Sequence, residues 1–345
     1  MKKIWCLLLA AAMVTGAAQA SHAVDFKAKG VWLASFQYGQ NGNFTNGGHT
    51  GYDPSEDEFE ARSRVRLVID AVADENLSGQ VYFEIGKSIW GKAEDPQGGM
   101  AMGADKNIVK LKRAFIDWRV PDTDLKLRMG IQGIGLPYMA MGGPTVFQSD
   151  VAAITASYVF NENAAMTAFW ARPYNDNYDA RADRTNYQDN MDLFALMVPL
   201  TFDGVKVTPW AMYGMAGANA NTLTSTAPYA RYANGGDAFA FDPSSTSKAY
   251  GSMFWAGLPI SLTLWDPLNV ELDINYGYVE SMGRYEAERY DNTFARMGDT
   301  KREGWLVKAL VEYKMDWGTP GIFGWYASGD DGNVKNGSER LPSIA

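Results

Sequence analysis

Three arginines, Arg62, Arg64 and Arg66, stand at alternate positions in the run "FEARSRVRLVIDAVADEN", Phe59 to Asn76. Guanidinium groups stay charged at any working pH and offer a planar fork of donors that fits carboxylates and other oxyanions. The interleaved residues are Ala61, Ser63, Val65, Leu67, Ile69 and Ala71. Such a period of two places the arginines on one face of a β-strand and the small and apolar residues on the other. Unit charges ~6–7 Å apart repel by roughly 0.6–0.7 kcal/mol in a water-like dielectric, and far more in a dry core. The arginine face therefore needs water. The opposite face needs a protein core or lipid.

Other charged residues join the arginines when nearby segments are read with the same period. The basic set is Lys27, Lys29, Arg62, Arg64, Arg66, Arg113, Arg119, Lys126 and Arg128. Glu60, Asp70, Glu84 and Asp117 are interleaved with it. A second, acidic set is Asp192, Glu271, Asp273 and Glu312, with Lys206 and Lys308 among them. If the strands close into a barrel, the two sets become opposite walls of a lumen and set up a transverse field. Pairing of neighbouring charges that merely keep the interior wet is the plainer alternative. The segment Gly133 to Asp150, "GIGLPYMAMGGPTVFQSD", is apolar and carries one charge, unlike a solvated loop. It is the candidate constriction, with Gly133, Leu136, Tyr138, Met141, Phe147 and Asp150 as its marker residues. The competing reading packs it on a neighbouring protomer.

Catalytic and metal chemistry find little support. The only histidines are His22 and His49, and Asp53 and Asp57 near His49 are ordinary loop neighbours. Asp330, Asp331, Asn333, Asn336 and Glu339 offer oxygen ligands, as do Asp176, Asp179 and Asp183, but neither group completes a calcium-loop pattern. No enzyme activity, metal or cofactor is expected.

The elements that position the charges are strands of this kind throughout. The cleanest sets Val270, Leu272, Ile274, Tyr276 and Tyr278 against Glu271, Asp273 and Asn275. Others run Phe26 to Tyr38, Leu125 to Gln132 and Gly304 to Tyr313; one near Val205 to Gly214 is weakened by Pro209. Short connections such as Asp74-Glu75-Asn76, Asn161-Glu162-Asn163 and Asp203-Gly204 alternate with long polar ones such as Asn41 to Asp57 and Ala218 to Lys248. Strict alternation puts all turns at one end and all long loops at the other, the layout of an outer-membrane barrel. Aromatics gather at both strand ends: Phe26, Trp118, Phe160 and Tyr313 towards the turns, and Phe36, Tyr38, Phe59, Tyr276, Tyr278 and Trp305 towards the loops. Two such belts mark the two lipid–water interfaces. The expected fold class is thus all-β, a transmembrane antiparallel β-barrel.

The first twenty residues, "MKKIWCLLLAAAMVTGAAQA", read as a signal peptide: basic Lys2 and Lys3, an apolar run, and a small-x-small site ending at Ala20, with a second site after Ala23. Residues 21–345 then form the barrel domain, free of cysteine. With 31 basic and 40 acidic residues, loss of Lys2 and Lys3 takes the formal net charge from -9 to -11. That balance argues against a nucleic-acid partner.

The segments "DFKAKGVWL", "KRAFIDWRVPDTDLKLRMG", "TAFWARPYND" and "TPGIFGWYASGDDGNVKNGSERLP" resemble the homotrimeric outer-membrane porins of Desulfovibrio-type bacteria. The resemblance runs from about Val24 to about Pro342. It implies a homotrimer in the outer membrane of a Gram-negative cell, in contact with bilayer and lipopolysaccharide. It further implies passive diffusion of small polar solutes and ions through a water-filled channel. A substrate-selective channel and a structural or adhesive barrel are the alternatives. Porin barrels have even strand numbers, whereas about thirteen strands are counted here. A C-terminally truncated barrel of about sixteen strands, broken off in an external loop, is the expectation.

Overall fold

The structure is a computed structural model that describes residues 24–39, 58–92, 101–102, 107–175, 190–217, 250–281, 284–288, 294–331, 333 and 335–344. Its contacts divide the chain into two units, Met1–Pro121 and Asp122–Ala345. No helix occurs among the described residues, and every ladder between strands is antiparallel. The fold class is the expected one, all-β, with antiparallel strands in up-and-down order.

The first unit is a meander of β1 (Asp25–Gly39), β2 (Glu58–Val72), β3 (Leu77–Ile89) and β4 (Val109–Arg119). The β2–β3 turn is tied by the Asp74 carboxylate, which accepts from the Asn76 and Leu77 amides at 2.7 and 2.8 Å. Register lines up Trp32, Val65 and Ile85, and likewise Ala28, Ile69 and Val81, on the apolar face. Trp32 is 81% exposed, with no partner covering it among the described residues. A bulge between Ser63 and Arg64 sits opposite Gly86 and Lys87, both at positive φ. Beyond it Trp90 returns to the apolar face, edge-on to Phe36 at 5.6 Å.

The second unit opens with β5 (Leu125–Gly135), β6 (Gln148–Asn161) and β7 (Ala164–Asn175). One expected strand is split into β8 (Asn190–Met197) and β9 (Leu200–Phe202), and the next into β10 (Val205–Val207) and β11 (Trp210–Gly217). Pro199 and Pro209, which lack an N–H, mark both breaks. The Val198 amide donates to the Pro209 carbonyl at 3.0 Å and the Thr208 amide to Pro259 at 3.1 Å, holding the pieces in line. Then come β12 (Tyr250–Trp265), β13 (Leu268–Val279), a separate hairpin of β14 (Arg284–Glu288) and β15 (Phe294–Asp299), β16 (Arg302–Tyr313) and β17 (Gly321–Ala327). With the split strands rejoined, the ladders contain the thirteen transits read from the sequence. The β14–β15 hairpin lies within a stretch expected to be loop.

One face of the second unit departs from expectation. Val151, Ala153, Phe169, Ala171, Leu193, Ala195, Trp210, Met212, Met253 and Trp255 share the face that carries Arg128 and Asp273, and they are buried. The expected polar inner face therefore holds for β5, β13 and β16 but not for the strands between. These residues are covered by the β5–β6 connection and by residues 338–344, giving one apolar cluster with Leu136, Val146, Phe147 and Ile344.

Candidate pore lining and inward loop

In the first unit, the alternation of β1 to β4 brings Lys27, Lys29, Arg62, Arg64, Arg66, Arg113, Arg119, Glu60, Asp70, Glu84 and Asp117 to one face. Their charges are joined across strands. Arg66 Nε donates to Glu84 at 3.0 Å, and Arg64 lies 3.7 Å from the same carboxylate. Arg62 Nη2 donates to Glu60 at 2.7 Å. Asp70 takes Lys29 at 3.0 Å and the Gln80 amide at 2.7 Å. Lys27 reaches Asp25 at 3.5 Å, and Arg113 lies over the Tyr82 ring at 5.7 Å. The arginine row is stabilised by carboxylates supplied from its own and the next strand. Seven basic residues of the expected set still face four acidic ones.

In the second unit, Lys126, Arg128, Glu271, Asp273, Glu312, Lys206 and Lys308 share the inner face by register. Glu312 accepts from the Asn269 amide at 3.0 Å. Asp192 is a correction. It alternates with buried Leu193 and so shares the outward face of Phe194 and Leu196, which are 42% and 44% exposed. Arg172 binds it through two donors at 2.8 Å each, and Trp170 Nε1 donates at 2.7 Å. Its strand has apolar residues on both faces, so the lone carboxylate gave no register in the sequence. Together with Tyr213 on Ser252 and Tyr276 on Glu303, it forms an outward polar and aromatic band near the loop ends of the strands. Just before β16, the Glu303 carboxylate 2.9 Å away holds Lys301 above its ordinary pKa.

The candidate constriction loop is shorter than expected. Gly133 and Asp150 are ladder partners, so the connection is residues 136–147. Its base closes where the Leu136 amide meets the Phe147 carbonyl at 3.1 Å, with both side chains buried. Ala140, Gly142 and Gly143 at positive φ turn the chain back on itself. The Ala140 amide donates to the Glu271 carboxylate at 2.7 Å. Lys308 Nζ donates to the Gly143 carbonyl at 2.9 Å, pairs with Asp273 at 2.9 Å and lies 5.8 Å from the Tyr138 ring centre. Glu271 is only the fourth residue of β13 from the turn end, so the loop runs deep along the inner face. Met141 and Tyr138 remain 58% and 46% exposed at its tip.

A second segment follows it inward, which the sequence reading placed in an external loop. The Ile344 amide donates to the Val146 carbonyl at 2.7 Å, and Trp255 Nε1 to the Pro342 carbonyl at 2.9 Å. Room for this segment comes from Gly304, where a Cβ would stand 2.4 Å from the Glu339 carbonyl and the Leu341 amide. Asp330, Asp331 and Glu339 do converge. Their oxygens are engaged by Ser338, Asn336 and the Asp331 amide within the loop. His22, His49, Asp53, Asp57, Asp176, Asp179 and Asp183 lie outside the described residues.

No protein-family model and no curated protein matches the chain. Solved structures similar to it include Salmonella typhi OmpF in complex with daunomycin, at 15% identity and TM-score 0.42, covering 92% of this chain and 82% of that one. Pseudomonas putida OprB is 11% identical with TM-score 0.41, covering 91% and 90%. The trimer form of OmpT, an outer membrane protein of Vibrio cholerae, is 10% identical with TM-score 0.37, covering 93% and 94%. The likeness is one of fold; it assigns no solute and gives no residue a role.

Proposed function

We propose that the chain builds a water-filled channel in the outer membrane of a Gram-negative bacterium, through which small hydrophilic solutes and ions diffuse passively. The observation that carries this reading is the loop 136–147, held on the inner face by Glu271 and Lys308 rather than standing out from the strand ends. A loop so placed would narrow a lumen on that face. Two further features support it. The arginine face of the first unit is built for water. The outward faces expose Trp32, Phe36, Ile274 and Trp305, which suits lipid.

On this reading the strands close into a barrel, Leu136 to Phe147 form the constriction, and the basic set with Glu271, Asp273 and Glu312 sits on the lumen side. The acidic set does less than a bare wall would. Asp273 is matched by Lys308, and Glu271 is tied to the loop, so these groups anchor as well as polarise. The resemblance to the Desulfovibrio-type porins supports a homotrimer, with the outward faces touching lipid, lipopolysaccharide or another protomer. Purified protein in a planar bilayer is expected to give a steady, non-rectifying, weakly selective conductance. A folded preparation that inserts and passes no current would overturn the proposal.

A further inference from the structure

β17 turns aromatic side chains to the inner face. Pairing sets Trp325 opposite Lys308 and Phe323 opposite Leu310, so both rings share the face of Lys308, while Ile322 and Tyr326 share the outward face of Val307 and Val311. Trp325 is 66% exposed and Phe323 38%. With Leu306, Lys308 and the loop residues Met141, Gly142 and Thr145 they line a cavity of about 370 Å³. All of these residues lie in the second unit.

The polar groups of this cavity are uncharged or already matched. Among the described residues that line it, Lys308 alone is charged. Its ammonium pairs with Asp273 at 2.9 Å and donates to the Gly143 carbonyl at 2.9 Å. The loop 136–147 carries no Asp, Glu, Lys, Arg or His. What remains to meet a ligand is the Trp325 indole with its N–H, the Phe323 ring and the Thr145 hydroxyl. An indole left so exposed on the water side of a strand removes little apolar area from water and so adds little to the stability of the fold. A ligand laid on it would remove that area.

We infer that this cavity is a binding subsite for neutral pyranose sugars. The matched Lys308–Asp273 pair selects against charge: an ion brought beside it sheds water and meets both signs. A sugar ring has an apolar C–H face and a rim of hydroxyls. The C–H face leaves water against the indole, whose negative π-surface favours polarised C–H bonds. The rim meets the Thr145 hydroxyl and the indole N–H, and keeps its water on the open side. A wholly apolar ring would leave one of its sides in water. The volume lies at the small end of ligand sites, ~300–1,000 Å³, and suits a small sugar better than a peptide segment. The inference rests on the channel reading, since it takes this face as reached from the lumen.

The test is saturation-transfer difference NMR of the folded protein in micelles of lauryldimethylamine oxide, a detergent without a sugar headgroup. The probes are methyl β-glucopyranoside, glucuronate, glucosamine and benzyl alcohol, each titrated against the parent, W325A, T145V and I322A. Heat-modifiable migration and the far-ultraviolet β-signature report folding of each variant. In the parent, saturation of the glucoside is expected to fall mainly on the axial protons of one ring face. Its dissociation constant should rise roughly tenfold in W325A, which loses the stacking surface. It should rise severalfold in T145V, which keeps the shape and loses the hydroxyl. It should stay unchanged in I322A, which trims the outward face of the same strand. Glucuronate and glucosamine should bind no more tightly than the glucoside. Unchanged glucoside affinity in folded W325A or T145V would overturn the subsite. So would a preference for either charged sugar, or tighter Trp325-dependent binding of benzyl alcohol than of the glucoside. The measurement needs no conducting pore. Trp325-dependent sugar binding by protein that never conducts would therefore sink the channel reading alone, and conduction without it the subsite alone.

Discussion

The two cationic clusters are stabilised in different ways, and their variants should behave differently. Arg62, Arg64 and Arg66 are matched by Glu60 and Glu84 on a partly exposed face. Replacing all three by glutamine removes three positive charges but keeps side-chain amides that can donate to the buried Glu60 and Glu84, the latter also faced by Lys112. The barrel is expected to fold, and permeation to shift towards cations. The shift should be larger at low salt, because ~1 M salt shortens the Debye length to about 3 Å. Reversal potentials in a salt gradient measure it; an unchanged anion-to-cation ratio at low salt would reduce the row to scaffold. Lys308 is instead 7% exposed at its side chain and bonded to both Asp273 and the loop. Lys308→Met strands a buried carboxylate, a loss of about 3–5 kcal/mol. It also frees Gly143, so the expected readouts are a lower melting midpoint and noisier open-channel current. A quiet current in the folded variant would show that the loop does not depend on this anchor.

At the scale of the element, face and cover decide what a strand tolerates. Ile274 and Leu272 point outward on β13, while Ser261 sits opposite Glu271 on the inner face. An arginine at the midplane of a lipid face costs about 2–4 kcal/mol. Ile274→Arg should therefore lower the yield of folded barrel, and Ser261→Arg, beside a carboxylate, should not. Equal yields would mean that the register is misassigned. Asn275, although on the inner face, would be a poor control: it is 2% exposed and donates to Asp273. The inward segment 338–344 offers a second comparison. Gly304→Ala places a methyl group where Glu339 and Leu341 run, whereas a Cβ at Gly324 meets nothing within 4 Å. Proteolysis of the intact barrel is expected to clip the segment in G304A and spare it in G324A. Equal resistance would show that the segment accommodates the extra methyl without leaving its place.

At the scale of the molecule, the alternation of turns and loops predicts sidedness. Cysteines placed at Glu75, Asp122 or Glu162 fall in the short turns, and ones at Asn46 or Thr226 fall in long gaps outside the described residues. A membrane-impermeant thiol reagent on intact cells is expected to label only the second group. Labelling of Glu75→Cys without permeabilisation would reverse the orientation. Cys6 is the one cysteine of the sequence, so a C6S background keeps the readout clean.

Strand periodicity and connection lengths were enough to find the transits, because a half-buried strand writes its faces into alternate residues. They also found the polar face of β1 to β5, where Lys, Arg and Glu alternate with apolar residues. The inward loop was legible for a related reason: a segment with so little charge has no stable place in bulk water. Three things were not legible. β6 to β12 carry apolar residues on both faces, so no period shows that the inner one is covered. Asp192 sits in such a strand, and only register placed it outward with Arg172. Leu341 and Pro342 are too few to form a pattern, yet their place on the inner face follows from space left by Gly277 and Gly304 on β13 and β16. Local alternation is a property of neighbours along the chain. What covers a face is a property of neighbours in space, and only the tertiary structure supplies those.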